Sequence, residues 1–110
     1  MKKTRTDLLQ GTLDLLILRT LDLGSQHGWG IAQRIRQISQ DELRVNQGSL
    51  YPALHRLELQ KWITAEVGPT AQGRRVRFYR LTVAGRRQLS AETENWRRIS
   101  VAIGRILEAT

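Results

Sequence analysis

The side chains of this sequence that are best suited to chemistry with a partner are its arginines. Of the 18 Lys and Arg residues 15 are Arg, and with 10 Asp and Glu the formal net charge is +8. Six of the arginines fall between Gly73 and Arg87, a stretch without Asp or Glu; they are Arg74, Arg75, Arg77, Arg80, Arg86 and Arg87. A guanidinium group forms bidentate hydrogen bonds to phosphate and to the edge of guanine. The composition therefore favours an anionic polymer as partner.

Groups suited to catalysis or metal binding are sparse. The two histidines, His27 and His55, have no carboxylate or Cys at ligand spacing. Ser49 and His55 are too far apart along a helix to face each other. The sequence has no Cys, which excludes disulfides and thiolate metal sites. We therefore expect no enzyme activity, no cofactor and no metal site.

A second group of binding side chains lies in VNQGSLYPALHRLELQ, which runs from Val45 to Gln60. Its apolar residues Leu50, Leu54 and Leu57 have helical spacing, but the first turns are small, polar and aromatic. In a helix-turn-helix the start of the second helix enters the major groove, where small residues let the backbone approach DNA closely. The residues that we expect to contact DNA from this helix are Ser49, Tyr51, Pro52, His55 and Arg56. Asn46 is the preferred N-cap, with Ser49 as the alternative.

The elements that position these residues follow from the hydropathy pattern. A Leu-rich helix over 8–23 is expected to be buried on more than one side. A second helix over 30–39 places Ile31, Ile35 and Ile38 on one face. Leu43 and Val45 alternate, which indicates a brief strand before the third helix.

A hairpin and a long helix complete the chain. The strands Trp62–Val67 and Val76–Leu81 alternate with period two and flank a loop with two Gly and one Pro. Thr82 is the expected N-cap of the last helix. On that helix a heptad-like apolar stripe consists of Leu89, Trp96, Ile99, Ile103 and Ile106. Since soluble domains rarely expose such a patch, the stripe predicts a homodimer interface.

Three short helices followed by a basic hairpin describe a winged helix-turn-helix. The predicted fold class is mainly α with a small β-hairpin, in which residues 1–81 form the DNA-binding domain and residues 82–110 the C-terminal dimerisation helix. Charged residues interrupt every apolar run, so we expect no membrane segment and a cytoplasmic protein.

The arginine-rich stretch also has a purely structural interpretation. The hairpin would then be a solvated surface whose arginines pair with Glu66 and with carboxylates of the last helix. However, a block of like charge repels itself unless a polyanion neutralises it. We therefore expect Arg74, Arg75 and Arg77 to lie along the phosphate backbone or to enter a minor groove.

The chain resembles the PadR family of bacterial transcriptional regulators in four segments: LLQGTLDLLILRTL, HGWGIAQRI, QGSLYPALHRLE and RRVRFYRLTVAGRRQL. The likeness extends from about Thr6 to Leu107 and is closest to the short members with one C-terminal helix. It implies a winged-helix domain, a homodimer formed by the C-terminal helix, repression of nearby genes and, in some members, release by a small-molecule inducer. It also implies that the groove-entering helix covers Gln47–Leu57, which adds Gln47 to the expected DNA contacts, and that the wing covers Gly68–Arg80. Gln47 departs from the family pattern, where Pro is common.

The predicted function is that of a homodimeric, sequence-specific repressor that binds double-stranded DNA at a pseudo-palindromic operator. The alternative is a basic adaptor or RNA-binding module without a specific operator. Trp96 lies in the middle of the interface stripe, where two copies across the two-fold axis can form a slot for a flat aromatic ligand. The alternative for Trp96 is a packed interface residue with no cavity.

Overall fold

The computed structural model describes residues 10–110, in which four helices and three short strands follow one another. In chain order they are α1 (Gln10–Asp22), β1 (Gln26–His27), α2 (Gly28–Ile38), α3 (Gln47–Leu59), β2 (Ile63–Pro69), β3 (Arg75–Leu81) and α4 (Val83–Leu107). The predicted order of helices and hairpin is confirmed, and the fold is mainly α with a small antiparallel sheet. The predicted start of the first helix at Leu8 lies outside the described residues.

The hydrophobic core forms where α1, α2 and α3 meet the sheet. Ile17 and Leu18 of α1 are both fully buried, which confirms that this helix packs on more than one side. The apolar residues of α3 that have helical spacing, Leu50, Leu54 and Leu57, are buried, and Ala53 is buried with them. Burial of this apolar face fixes α3 against α1 and leaves its opposite face in solvent.

The sheet has the strand order β1-β3-β2, and both pairings are antiparallel. β2 and β3 form the predicted hairpin, with Ile63 opposite Leu81 at its base and Pro69 opposite Arg75 near its tip. β1 pairs Gln26 with Tyr79 on the other edge of β3. The sequence analysis does not predict β1, because a strand of two residues has no alternating pattern to detect.

Two further local predictions were wrong. The segment containing Leu43 and Val45 is not a strand; both side chains pack against the core from an irregular connection. Their alternation therefore reports two inward side chains rather than strand pairing. Ile38, predicted to share the buried face of Ile31 and Ile35, is 61% exposed because it is the last residue of α2 and extends past the core.

The last helix begins where it was predicted to begin. The Thr82 side chain accepts a hydrogen bond from the Gly85 N–H at 3.0 Å, so Thr82 is the N-cap of α4. The single proton of the Thr82 hydroxyl is shared between the main-chain carbonyls of Lys61 and Trp62, at 2.8 and 3.0 Å. These contacts join the start of α4 to the segment that follows α3. No helix within residues 10–110 is long and apolar enough to span a membrane.

Candidate nucleic-acid interface

The start of α3 presents the small, polar face expected of a groove-entering helix. The Asn46 side chain accepts a hydrogen bond from the Ser49 N–H at 2.9 Å, which confirms Asn46 as the N-cap. The exposed residues of the predicted contact set on this helix are Gln47, Ser49, Tyr51, Pro52 and His55. Pro52 lies inside the helix and has no N–H to donate to the carbonyl four residues earlier, so the first turns of α3 depend more on the cap.

Tyr51 combines an exposed surface with a structural contact. A Cβ atom added to Gly28 would lie 2.8 Å from the Tyr51 hydroxyl, so the ring rests directly against the start of α2. The side chain nevertheless remains 45% exposed. Tyr51 therefore links α3 to α2, the two helices of the helix-turn-helix. Glycine at position 28 leaves room for the Tyr51 ring.

Arg56 does not lie on the exposed face where it was predicted to reach phosphate or guanine. Its guanidinium donates to the Asp14 carboxylate of α1 at 2.7 Å, and Asp14 is mostly buried. Burial raises the pKa of Asp14, although the charge of Arg56 opposes this shift. Because the partners are 42 residues apart in sequence, no local pattern indicated the pair. Arg56 therefore joins α3 to α1 through a partly buried ion pair.

The wing tip carries two arginines on a hydrogen-bonded turn. The Thr70 hydroxyl accepts a hydrogen bond from the Arg74 N–H at 3.1 Å, and the Thr70 N–H donates to the Arg74 carbonyl at 2.7 Å. Gly73 has φ +88°, a conformation that side chains disfavour. This turn holds the exposed residues Arg74 and Arg75 at the far end of the hairpin.

The carboxylates that pair with the arginine-rich stretch are not the ones that the purely structural interpretation of the sequence expected. Within residues 10–110, two of its six arginines form ion pairs, and neither pairs with Glu66 or with a carboxylate of α4. Arg77 donates to Glu58 of α3 at 2.6 Å, and Arg86 lies 3.4 Å from Asp22 of α1. Arg74 and Arg75 have no carboxylate partner in this part of the chain, so the wing tip keeps its positive charge.

The apolar stripe of α4 is exposed except at its first member. Leu89 is 7% exposed and belongs to the core of its own chain, which removes it from the predicted dimer surface. The other members are exposed: Trp96 53%, Ile99 49%, Ile103 51% and Ile106 74%. Among the residues that the structure describes, no group of three His, Asp or Glu side chains can hold a metal ion.

Comparisons with known proteins agree with this geometry. Residues 17–91 match the Transcriptional regulator PadR-like family. A transcriptional regulator from Clostridium thermocellum has a similar structure, with a TM-score of 0.83 and 26% identity over 93% of this chain and 99% of that one. A PadR family transcription regulator from Clostridium difficile has a TM-score of 0.74 and 29% identity over 86% of this chain and 97% of that one.

A relative found by sequence is also a transcriptional regulator. The chain is 39% identical over 66 residues to a transcriptional regulator of Mycobacterium tuberculosis, an alignment that covers 60% of this chain and 58% of that protein. The family consists of transcriptional regulators, which agrees with the expectation that the chain is not an enzyme. Because the family match spans more than half of the sequence and the winged fold covers the same residues, the chain belongs to the PadR-like family of transcriptional regulators.

Proposed function

We propose that this regulator is a homodimeric repressor that binds a pseudo-palindromic operator in double-stranded DNA, with the start of α3 in the major groove and the wing on the backbone. The observation that carries the proposal is the exposed, polar start of α3 beside a wing tip whose Arg74 and Arg75 have no carboxylate partner within residues 10–110. A regulator of this kind acts on the chromosome, which places it in the cytoplasm. Residues 1–81 form the DNA-binding unit and 82–110 the dimerisation helix, although Leu89 shares the core of the first unit.

The two contact elements have different expected roles. Ser49 and the Tyr51 hydroxyl offer hydrogen bonds to base edges, which discriminate between sequences. Arg74 and Arg75 offer charge to phosphates, which strengthens binding to any duplex. Ser49→Ala and Tyr51→Phe are therefore expected to lower operator affinity more than affinity for random DNA. Tyr51→Phe keeps the ring against Gly28, so the helix-turn-helix contact is preserved.

Wing variants provide the comparison. Arg74→Gln and Arg75→Gln are expected to weaken both kinds of duplex and to reduce the salt slope by up to about one unit for each phosphate that the variant no longer neutralises. Affinities measured by fluorescence anisotropy over a range of salt concentrations separate the two patterns. If Ser49→Ala and Tyr51→Phe leave the ratio of operator to random affinity unchanged, α3 does not read the operator.

The dimer is proposed from the exposed stripe of α4. A monomer would leave Trp96, Ile99, Ile103 and Ile106 in water, which is unfavourable for a contiguous apolar surface. Light scattering is expected to give twice the chain mass of 12.6 kDa. The two-fold axis of such a dimer also predicts half-sites about one helical turn apart on DNA.

Two variants with nearly equal exposure test which face of α4 makes the dimer. Ile103 is 51% exposed and Val101 is 53% exposed. Positions two residues apart point about 200° apart around a helix, so Val101 lies off the stripe. Ile103→Glu is expected to produce monomers, whereas Val101→Glu is expected to leave the dimer intact. A wild-type monomer, or equal effects of the two variants, would refute this interface.

Release of DNA by a flat aromatic ligand at Trp96 is the most specific part of the proposal. Trp96 is 53% exposed on the stripe, so two copies can line a slot between subunits. Such a ligand lowers operator affinity only if it binds the DNA-free arrangement more tightly. Titration of an aromatic panel is expected to quench tryptophan emission and to lower operator affinity in the wild type but not in Trp96→Ala. If no compound does both, Trp96 is a packed interface residue.

A further inference from the structure

One ion pair joins α3, the helix proposed to enter the major groove, to strand β3 of the wing. Glu58 lies in the last turn of α3, and its carboxylate accepts a hydrogen bond from Arg77 of β3 at 2.6 Å. The Arg77 guanidinium also lies 5.8 Å from the centre of the Tyr79 ring, which is buried. The pair therefore holds the Arg77 side chain between α3 and the wing.

This ion pair lies in a cleft between the two elements proposed to contact DNA. The residues that line the cleft are Tyr51, His55, Glu58, Leu59, Arg77 and Tyr79. Three of them, Tyr51, His55 and Arg77, are exposed members of the predicted contact set. Arg77 is 52% exposed in its side chain and Glu58 is 32% exposed, so both remain within reach of a bound duplex.

A carboxylate is unusual in the cleft between two elements that are proposed to bind DNA. Glu58 is the single acidic residue of α3, a helix that lies beside the most basic stretch of the chain. A carboxylate near a bound duplex repels phosphate, and it also reduces the charge that its arginine partner offers to phosphate. Removal of the pair would therefore increase the attraction of this surface for every duplex, whatever its sequence.

We infer that Glu58 is a specificity-determining residue, which restrains Arg77 from non-specific phosphate contact and thereby keeps binding to random DNA weak. The inference rests on the proposed DNA-binding function and assigns Glu58 a positioning role within it. Because Glu58 and the Tyr79 ring hold the Arg77 guanidinium in one place, Arg77 favours the one position of the wing that fits the operator. Without Glu58, the same guanidinium is free to follow the backbone of any sequence.

The central test replaces Glu58 by the uncharged residue of the same shape. Two probes are used: a short duplex of mixed sequence, and the duplex that the wild type enriches most strongly from a mixed-sequence pool. With Glu58→Gln, affinity for the mixed duplex is expected to rise about three- to ten-fold at about 0.1 M salt, with a salt slope steeper by about 0.9. Affinity for the enriched duplex is expected to rise less, so the ratio between the two probes falls.

The chain offers a matched control for the change in net charge. Glu66 is exposed on β2 and forms no ion pair within residues 10–110. Glu66→Gln removes one negative charge, as Glu58→Gln does, but releases no arginine, so the ratio between the two probes is expected to stay near its wild-type value. The double variant Glu58→Gln, Arg77→Gln is expected to abolish the gain in mixed-duplex affinity, because the released guanidinium is absent.

The outcomes separate this inference from the function on which it rests. If the wild type binds neither probe at low salt, both are overturned. If the wild type binds but Glu58→Gln behaves like Glu66→Gln, the role of Glu58 alone is wrong. If Glu58→Gln weakens only the enriched duplex, Glu58 contacts a base directly and does not restrain Arg77. Thermal unfolding of each variant shows whether weaker binding comes from unfolding, which would itself make the pair structural and overturn the inference.

Discussion

Gly85 is expected to be the least tolerant glycine of α4, because the start of this helix lies directly on the backbone of Trp62. A Cβ atom added at Gly85 would lie 1.9 Å from the Trp62 carbonyl oxygen and 2.8 Å from a methyl carbon of Leu81. An ordinary close carbon–oxygen contact is about 3.3 Å. The helix and the carbonyl must therefore separate by about 1.4 Å to admit alanine.

That separation disturbs the junction that starts α4. The Trp62 carbonyl accepts hydrogen bonds from both the N–H and the hydroxyl of Thr82, at 3.0 Å each. Breaking them costs about 0.5–1.5 kcal/mol per bond. Overpacking adds about 1–3 kcal/mol, and the better helix propensity of alanine offsets about 1 kcal/mol. Gly85→Ala is therefore expected to lower the free energy of unfolding by about 3 kcal/mol, within a range of about 1 to 5.

Urea unfolding at one fixed protein concentration measures this destabilisation, and the same helix supplies the control. An added Cβ at Gly104 meets no atom within 4 Å, so Gly104→Ala is expected to raise the free energy of unfolding by about 0.5–1 kcal/mol. Equal stability of the two variants would refute the close seating of α4 on Trp62.

Three further changes have expected outcomes. Asn46→Ala removes the acceptor of the Ser49 N–H and is expected to cost about 1 kcal/mol in urea unfolding and to lower operator affinity. Burial raises the pKa of Asp14 above 3.8, so Asp14 binds a proton more readily in the folded protein than in the unfolded chain. The free energy of unfolding should therefore rise as the pH falls through the folded pKa towards 3.8, and Asp14→Asn should remove that trend. Asp41 has a pKa lowered by hydrogen bonds from Arg44 and Arg36, so its contribution is present above 3.8 and is lost as the pH falls through the lower folded pKa; Asp41→Asn should abolish this opposite trend. Unfolding curves that leave either slope unchanged in its variant would contradict the corresponding assignment.

Much of the fold could be predicted because it follows from local pattern. The inward residues of α3 recur at helical spacing, and the caps Asn46 and Thr82 are residue types that accept hydrogen bonds from N–H groups at a helix start. The hairpin follows from period-two alternation around a loop with Gly and Pro. Each of these signals lies within a few residues of the structure that it predicts.

The remaining features depend on partners that are distant in sequence. Arg56 was predicted to face DNA because its helical position is near the exposed side, yet Asp14 of α1 attracts its long side chain inward. Leu89 fits the spacing of the α4 stripe, but it lies in the part of α4 that packs against the core and is therefore buried. Periodicity indicates which side of a helix is apolar, whereas the packed neighbour decides whether that side is core or surface.

The α2–α3 connection shows the same limit. Gln40 and Asp41 have φ of 54° and 71°, a conformation uncommon for residues other than glycine. Asp41 accepts hydrogen bonds from Arg36 and Arg44, on both sides of it, which holds this turn together. The alternation of Leu43 and Val45 does not predict that turn, because the turn is held by ion pairs, which a pattern of hydrophobic residues cannot indicate.

Sequence preference, measured against salt, tests the central claim most directly. Wild-type protein is titrated with the duplex that it enriches from a mixed-sequence pool and with a scrambled duplex of the same composition, over a series of salt concentrations. A sequence-specific regulator is expected to bind the enriched duplex at least about 10³-fold more tightly near physiological salt. Salt should weaken both complexes, because both include phosphate contacts. Equal affinities with equal salt slopes would contradict operator binding and would favour a basic adaptor or RNA-binding module.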